Sequence, residues 1–105
     1  MVLTHSFKET VQERVKRDPQ FRKELLRGAF ECMLEGDIDT GKLILRDYIN
    51  ATIGFEKLGK AVETSPKSLM RMFSPKGNPQ TKNLFTVLHH LQKHGKFRLE
   101  LFVRE

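Results

Sequence analysis

Apolar residues fall at helical spacing through most of the chain and change to strict alternation only near its end. Phe7, Val11 and Val15 recur at i, i+4. Ser6-Phe7-Lys8-Glu9 has the form of a capping box, in which a serine hydroxyl and a glutamate side chain close the first amides of a helix. A first helix is therefore predicted from Ser6 to about Arg17. Asp18-Pro19 reads as an N-cap followed by a first-turn proline, opening a second helix with Phe21, Leu25, Ala29, Phe30 and Met33 on one stripe. Gly36 ends it, because glycine takes the left-handed conformation that stops a helix. A third helix follows Gly36-Asp37, with Ile44, Leu45, Tyr48 and Ile49 buried, and Gly54 supplies the next stop.

From Phe55 the punctuation tightens. Short helices are predicted over Phe55 to Val62, Ser65 to Phe73 and about Gln80 to Lys93, a rhythm characteristic of a helix-turn-helix. Beyond His94-Gly95, the segment from Lys96 to Val103 alternates charged and apolar residues, as a half-buried strand does. A lone strand leaves its backbone groups without partners, so pairing with the same strand of a second copy is expected. The chain then divides into a helical leader or partner-binding layer (1–53), a helix-turn-helix region (54–95) and a C-terminal strand (96–105), packed as one compact unit. The expected fold class is mainly α.

Charge adds what periodicity cannot. Residues 1–56 hold nine Lys or Arg against ten Asp or Glu, whereas residues 57–98 hold nine against Glu63 alone. A segment with a net charge of +8 repels itself, and a folded domain that keeps such a field is suited to a polyanion. Phosphate is the expected partner. The first three helices are close to neutral, which suits them to packing or to binding a protein.

Within the basic half, Leu58 and Val62 share one helix face, and Gly59 lets a neighbouring element approach closely. Ser65 caps the next helix, Pro66 fits its first position, and Leu69, Met72 and Phe73 point inward. Lys67, Ser68, Met70 and Arg71 are left facing outward. A helix in the major groove reads base edges with side chains near its N-terminal end. Arg71 suits a bidentate contact to guanine, Lys67 reaches guanine or phosphate, and Ser68 bonds to several bases. Ser65 is expected on phosphate. The loop Ser74-Pro75-Lys76-Gly77-Asn78-Pro79 and the helix start after it place Lys76, Asn78 and Lys82 where they can hold the DNA backbone beside the groove.

These residues resemble a known family. The stretch GFEKLGKAVETSPKSLMRMFSPKGNPQTKNLFTVLHHL, and SLMRMFSPKGNP above all, is similar to the lambda-repressor/Cro-like helix-turn-helix proteins of the addiction-module antidote type. The segment EGDIDTGKLILRDYINATIGFEKL resembles the helical leader of such antidotes. The resemblance implies a lambda-repressor-like bundle and a dimeric, operator-binding repressor, the antitoxin of a toxin–antitoxin module, often encoded beside a small ribonuclease toxin. The family commonly has Ala after the Leu of the first helix, and Gly then a branched apolar residue in the turn. Here those places hold Gly59, Glu63 and Thr64.

Other functions find less in the residues. His90 and His94 stand at i, i+4, a spacing that can bind a metal, but no third ligand lies nearby. No Ser-His-Asp or Cys-His arrangement is readable, and SPKGNP lacks the Gly-Lys-Ser/Thr of a phosphate loop. An enzyme is not expected, nor a metal, nor a cofactor. The alternatives are an RNA-binding protein or a toxin-neutralising protein without operator binding, although the phenylalanines fall at core spacing rather than as a platform for unstacked bases. Cys32, the lone cysteine, is expected in a helix contact. With no signal-peptide pattern and no bilayer-length apolar run, the expected location is the cytoplasm.

Overall fold

The structure, a computed structural model, describes residues 11–105. It is mainly helical. Residues 11–17 form α1, followed by α2 (Pro19–Leu34), α3 (Ile38–Ala51), α4 (Phe55–Val62), α5 (Pro66–Met72) and α6 (Thr81–Gly95). The capping box at Ser6 and the apolar residue Phe7 lie outside the described residues.

The helix boundaries follow from local chemistry. Asp18 accepts hydrogen bonds from the amides of Gln20 and Phe21 at 3.1 and 3.2 Å, and Pro19 supplies the pre-set φ of the first turn. The Phe21 amide above all holds the Asp18 carboxyl below its ordinary range. Arg22 donates to the Val15 carbonyl at 2.6 Å, tying the end of α1 to α2. Gly36, at φ +94, turns the chain, and its amide and that of Asp37 bond back to Met33 and Cys32. Asp37 then caps α3 through the Thr40 amide at 3.2 Å.

α2 and α3 pack closely because Gly41 has no side chain. A Cβ there would stand 2.5 Å from Met33 Cγ and 2.9 Å from the Ala29 carbonyl. From this contact one hydrophobic cluster runs through every later helix: Leu26 and Ala29 of α2, Leu45, Tyr48 and Ile49 of α3, Phe55 and Leu58 of α4, Leu69 and Phe73 around α5, and Val87, Leu88 and Leu91 of α6. The rings of Phe55 and Phe73 meet at 6.3 Å in a tilted pair. On α2 the deepest residues are Leu26 and Ala29, while Phe21, Leu25, Phe30 and Met33 are half-buried. Leu26, outside the stripe that the spacing predicts, is buried more deeply than its neighbour Leu25.

After Gly95 the chain folds back. Lys96 takes the left-handed conformation, the Phe97 amide bonds to the Gln92 carbonyl at 3.1 Å, and Phe97 packs against the core. The Leu99 amide donates to Gln92 Oε1 at 2.8 Å. The strand expected over 96–103 does not form within the single chain: residues 97–105 carry no regular structure, and no strand occurs among the described residues to pair with them. Leu101, Phe102 and Val103 are 76, 95 and 85% exposed. No described helix is long and apolar enough to cross a membrane.

Candidate nucleic-acid interface

α4 and α5 are joined by a turn whose shape rests on two residues. Glu63 ends α4 in the left-handed region, at φ 54 and ψ 44, and the Thr64 amide bonds back to the Gly59 carbonyl at 2.9 Å. Gly59 is buried beneath that turn, and a Cβ on it would lie 2.5 Å from the Thr64 carbonyl oxygen. The missing methyl is what lets the turn close, as the sequence suggests for Gly59. Glu63 thus takes a conformation that favours glycine, at a cost of about 1–2 kcal/mol for a residue with a Cβ.

Past the turn, Ser65 Oγ accepts from the Ser68 amide at 3.1 Å and donates to Ser68 Oγ at 2.9 Å. Both hydroxyls are thus engaged with each other on an exposed surface. Pro66 opens α5, and Leu69 (0% exposed) and Phe73 (1%) anchor it in the core. This anchoring leaves Lys67, Ser68, Met70 and Arg71 on the exposed face. Among the described residues, Lys67, Arg71, Lys76 and Lys82 have no carboxylate partner, so their charges are open to an external anion.

The loop after α5 doubles back on the helix end. The Ser74 amide and hydroxyl both donate to the Arg71 carbonyl, at 3.1 and 2.7 Å, and the Gly77 amide donates to the Ser74 carbonyl at 3.0 Å. Gly77 sits so close that any Cβ would overlap the Arg71 carbonyl oxygen. Lys76 and Asn78 are exposed on this loop. Lys82 is exposed in the first turn of α6, whose N-cap residue Gln80 makes no side-chain cap bond. Lys67, Ser68 and Arg71 therefore share one helix face, Lys76 and Asn78 share the loop anchored at its end, and Lys82 stands on the next helix.

Lys42 is a buried residue that the sequence pattern does not single out. It lies on α3, is 4% exposed, and sends Nζ to the carbonyls of Ser74 at 3.1 Å and Gly77 at 2.5 Å. The only sequence signal is its spacing, since it falls three and seven residues before the buried Leu45 and Ile49.

A cavity of about 30 Å³ between α4, α5 and α6 has room for about one water. Among the described residues no group of three or more His, Cys, Asp or Glu side chains is placed to hold a metal ion. His89 and His90 meet edge to face at 5.9 Å. In comparisons with known proteins, no family model matches the chain, and no curated protein or solved structure does either.

Proposed function

We propose that this chain is a sequence-specific double-stranded DNA-binding transcriptional regulator, with α4 and α5 as its helix-turn-helix and α5 as the recognition helix. The observation that carries the reading is the exposed face of α5. Buried Leu69 and Phe73 fix the helix, and Lys67, Ser68 and Arg71 project from it without acidic partners among the described residues. Donor groups at the flank, the Lys76 and Lys82 ammoniums and the Asn78 amide, suit phosphates on either side of a groove. Ser65 remains within reach of phosphate only if its hydroxyl exchanges the Ser68 contact for it.

The protein acts as a homodimer in this reading, with two copies of α5 about one DNA turn apart, roughly 34 Å, on a palindromic operator. The resemblance to addiction-module antidotes makes it the antitoxin and repressor of a toxin–antitoxin pair. Leu34, Ile38 and Leu43 stay 71, 48 and 49% exposed on α2 and α3, which supports a partner-binding role for the N-terminal layer.

Two substitutions of equal charge test the assignment. Arg71→Ala should cost about 1–3 kcal/mol on the specific duplex and relax preference at one base pair. Lys82→Ala should weaken binding to specific and scrambled duplexes alike and make the salt slope shallower by roughly one unit, as one fewer counterion is released. If both behave as sequence-blind charge losses, α5 is not the recognition helix.

A further inference from the structure

Lys42 is the one charged side chain buried in the core among the described residues, and it spans a long stretch of chain to make its bonds. Its partners, Ser74 and Gly77, lie 32 and 35 residues further on. An ammonium has three donors and no acceptor. Here two meet the carbonyls of the loop, and the Asp39 carboxylate stands 3.6 Å away on the solvent side. Burying a charge disfavours folding unless the charge is bonded, so the stem and head of Lys42 are held where those oxygens are. The bonds act in the other direction too, because the Ser74 carbonyl accepts from both Lys42 Nζ and the Gly77 amide.

We infer that Lys42 is a positioning residue for the DNA-facing loop: from inside the core it sets where Lys76 and Asn78 stand, and it never meets DNA itself. This inference rests on the DNA-binding reading of the α5 face. Lys76 lies between the two residues whose carbonyls Lys42 holds, and Asn78 directly follows the second. Without the ammonium, those two carbonyls lose their inner partner and the turn keeps only its local bonds. A loop held by local bonds alone opens more often, and a lysine on a mobile loop is a weaker phosphate contact because ordering it opposes binding. Arginine is a poor substitute, since its planar fork does not match two carbonyls converging on one point.

The test uses the full chain with Lys42→Met, which keeps the stem and removes the charge, and Lys42→Arg as a second variant should the first fail to fold. Without DNA, amide hydrogen exchange at Ser74 and Gly77 should speed up about tenfold or more relative to the amides of α6, with a smaller rise in Lys42→Arg. On a duplex of random sequence, Lys42→Met should make the salt slope shallower by roughly one unit, as if one phosphate contact were gone. Adding Lys76→Ala should change that slope in the wild-type background and leave it nearly unchanged in the Lys42→Met background. Unchanged exchange at Ser74 and Gly77 would overturn the inference. So would an equal effect of Lys76→Ala in both backgrounds, which leaves the DNA reading standing. If the wild type binds no duplex in a salt-dependent way, the DNA reading fails and the positioning role fails with it, while the exchange rates still report whether Lys42 pins the loop.

Discussion

Glu63 stands in a conformation that favours glycine, and it is the only acidic residue in the basic half of the chain, so two substitutions separate backbone from charge. At φ 54 and ψ 44 its Cβ crowds the following carbonyl, a cost of about 1–2 kcal/mol. The conformation has to persist, because the Thr64 amide bond to Gly59 and the close seat of the Thr64 carbonyl over Gly59 both depend on it. Glu63→Gly removes the strain but frees the unfolded chain, which takes back about 0.4–1 kcal/mol. The net expectation is a stabilisation of about 0.5–1 kcal/mol, or a few degrees in Tm for a domain of this size. Glu63→Ala keeps a Cβ and so should leave stability near the wild-type value. Urea titration of the three proteins reads this difference. Removing the carboxylate acts separately: both variants should bind duplex DNA more tightly by equal factors at low salt, and the gain should fade as salt rises. Should Glu63→Gly prove no more stable than Glu63→Ala, the strain assigned to this turn is absent. A gain in DNA affinity confined to the glycine variant would mean that turn flexibility, not charge, governs binding.

Two further outcomes follow from the tail and the helix caps. If residues 100–105 pair with a second copy in the antiparallel register that sets Glu100 opposite Arg104, Phe102 lies opposite itself; Phe102→Cys in a Cys32→Ser background should then form an interchain disulfide well ahead of Leu101→Cys, and a monomer by light scattering at tens of micromolar would sink the pairing. Asp18 is held below its ordinary 3.8 by the Phe21 amide and Asp37 by the Thr40 hydroxyl and amide, so their contribution is present above that value and lost as pH falls through the lower folded one; the urea midpoint should drop from about pH 4 downward, and an Asp18→Asn, Asp37→Asn double variant that shows the same drop would contradict this.

The features legible in the sequence are those whose causes lie within a few residues. Asp18-Pro19 and Ser65-Pro66 combine a side-chain acceptor with a fixed φ, and each opens a helix where the residues predict. Gly36 and Gly54 sit at positive φ between helices, as their lack of a Cβ allows. The exposed face of α5 was legible for a related reason: over two turns, the inward places of Leu69 and Phe73 leave only one direction for Lys67, Ser68 and Arg71. Alternation in the tail was legible as a potential, but a strand is a property of a pair, and the described residues of one chain offer no second member.

What the sequence hides are contacts between distant parts of the chain. Glu63 carries no sign of a left-handed φ, because that angle is imposed by the packing of α4 against α5, where Leu58 and Leu69 are both wholly buried. Lys42 falls at the spacing of the buried Leu45 and Ile49, but the oxygens that make a buried ammonium tolerable there, those of Ser74 and Gly77, come from more than thirty residues away. The two hidden features act at opposite ends of α5, Glu63 in the turn before it and Lys42 on the Ser74 and Gly77 carbonyls after it. The turn before the helix holds a strained residue and the loop after it a buried cation, while among the described residues the Lys67 and Arg71 side chains make no hydrogen bond or ion pair that would orient them. In the proposed DNA-binding role, the placement of α5 therefore depends on α3 and α4 as much as on its own sequence. Exchanging residues 66–72 alone for another recognition sequence should accordingly transfer base preference only where Lys42, Gly59 and Gly77 are kept.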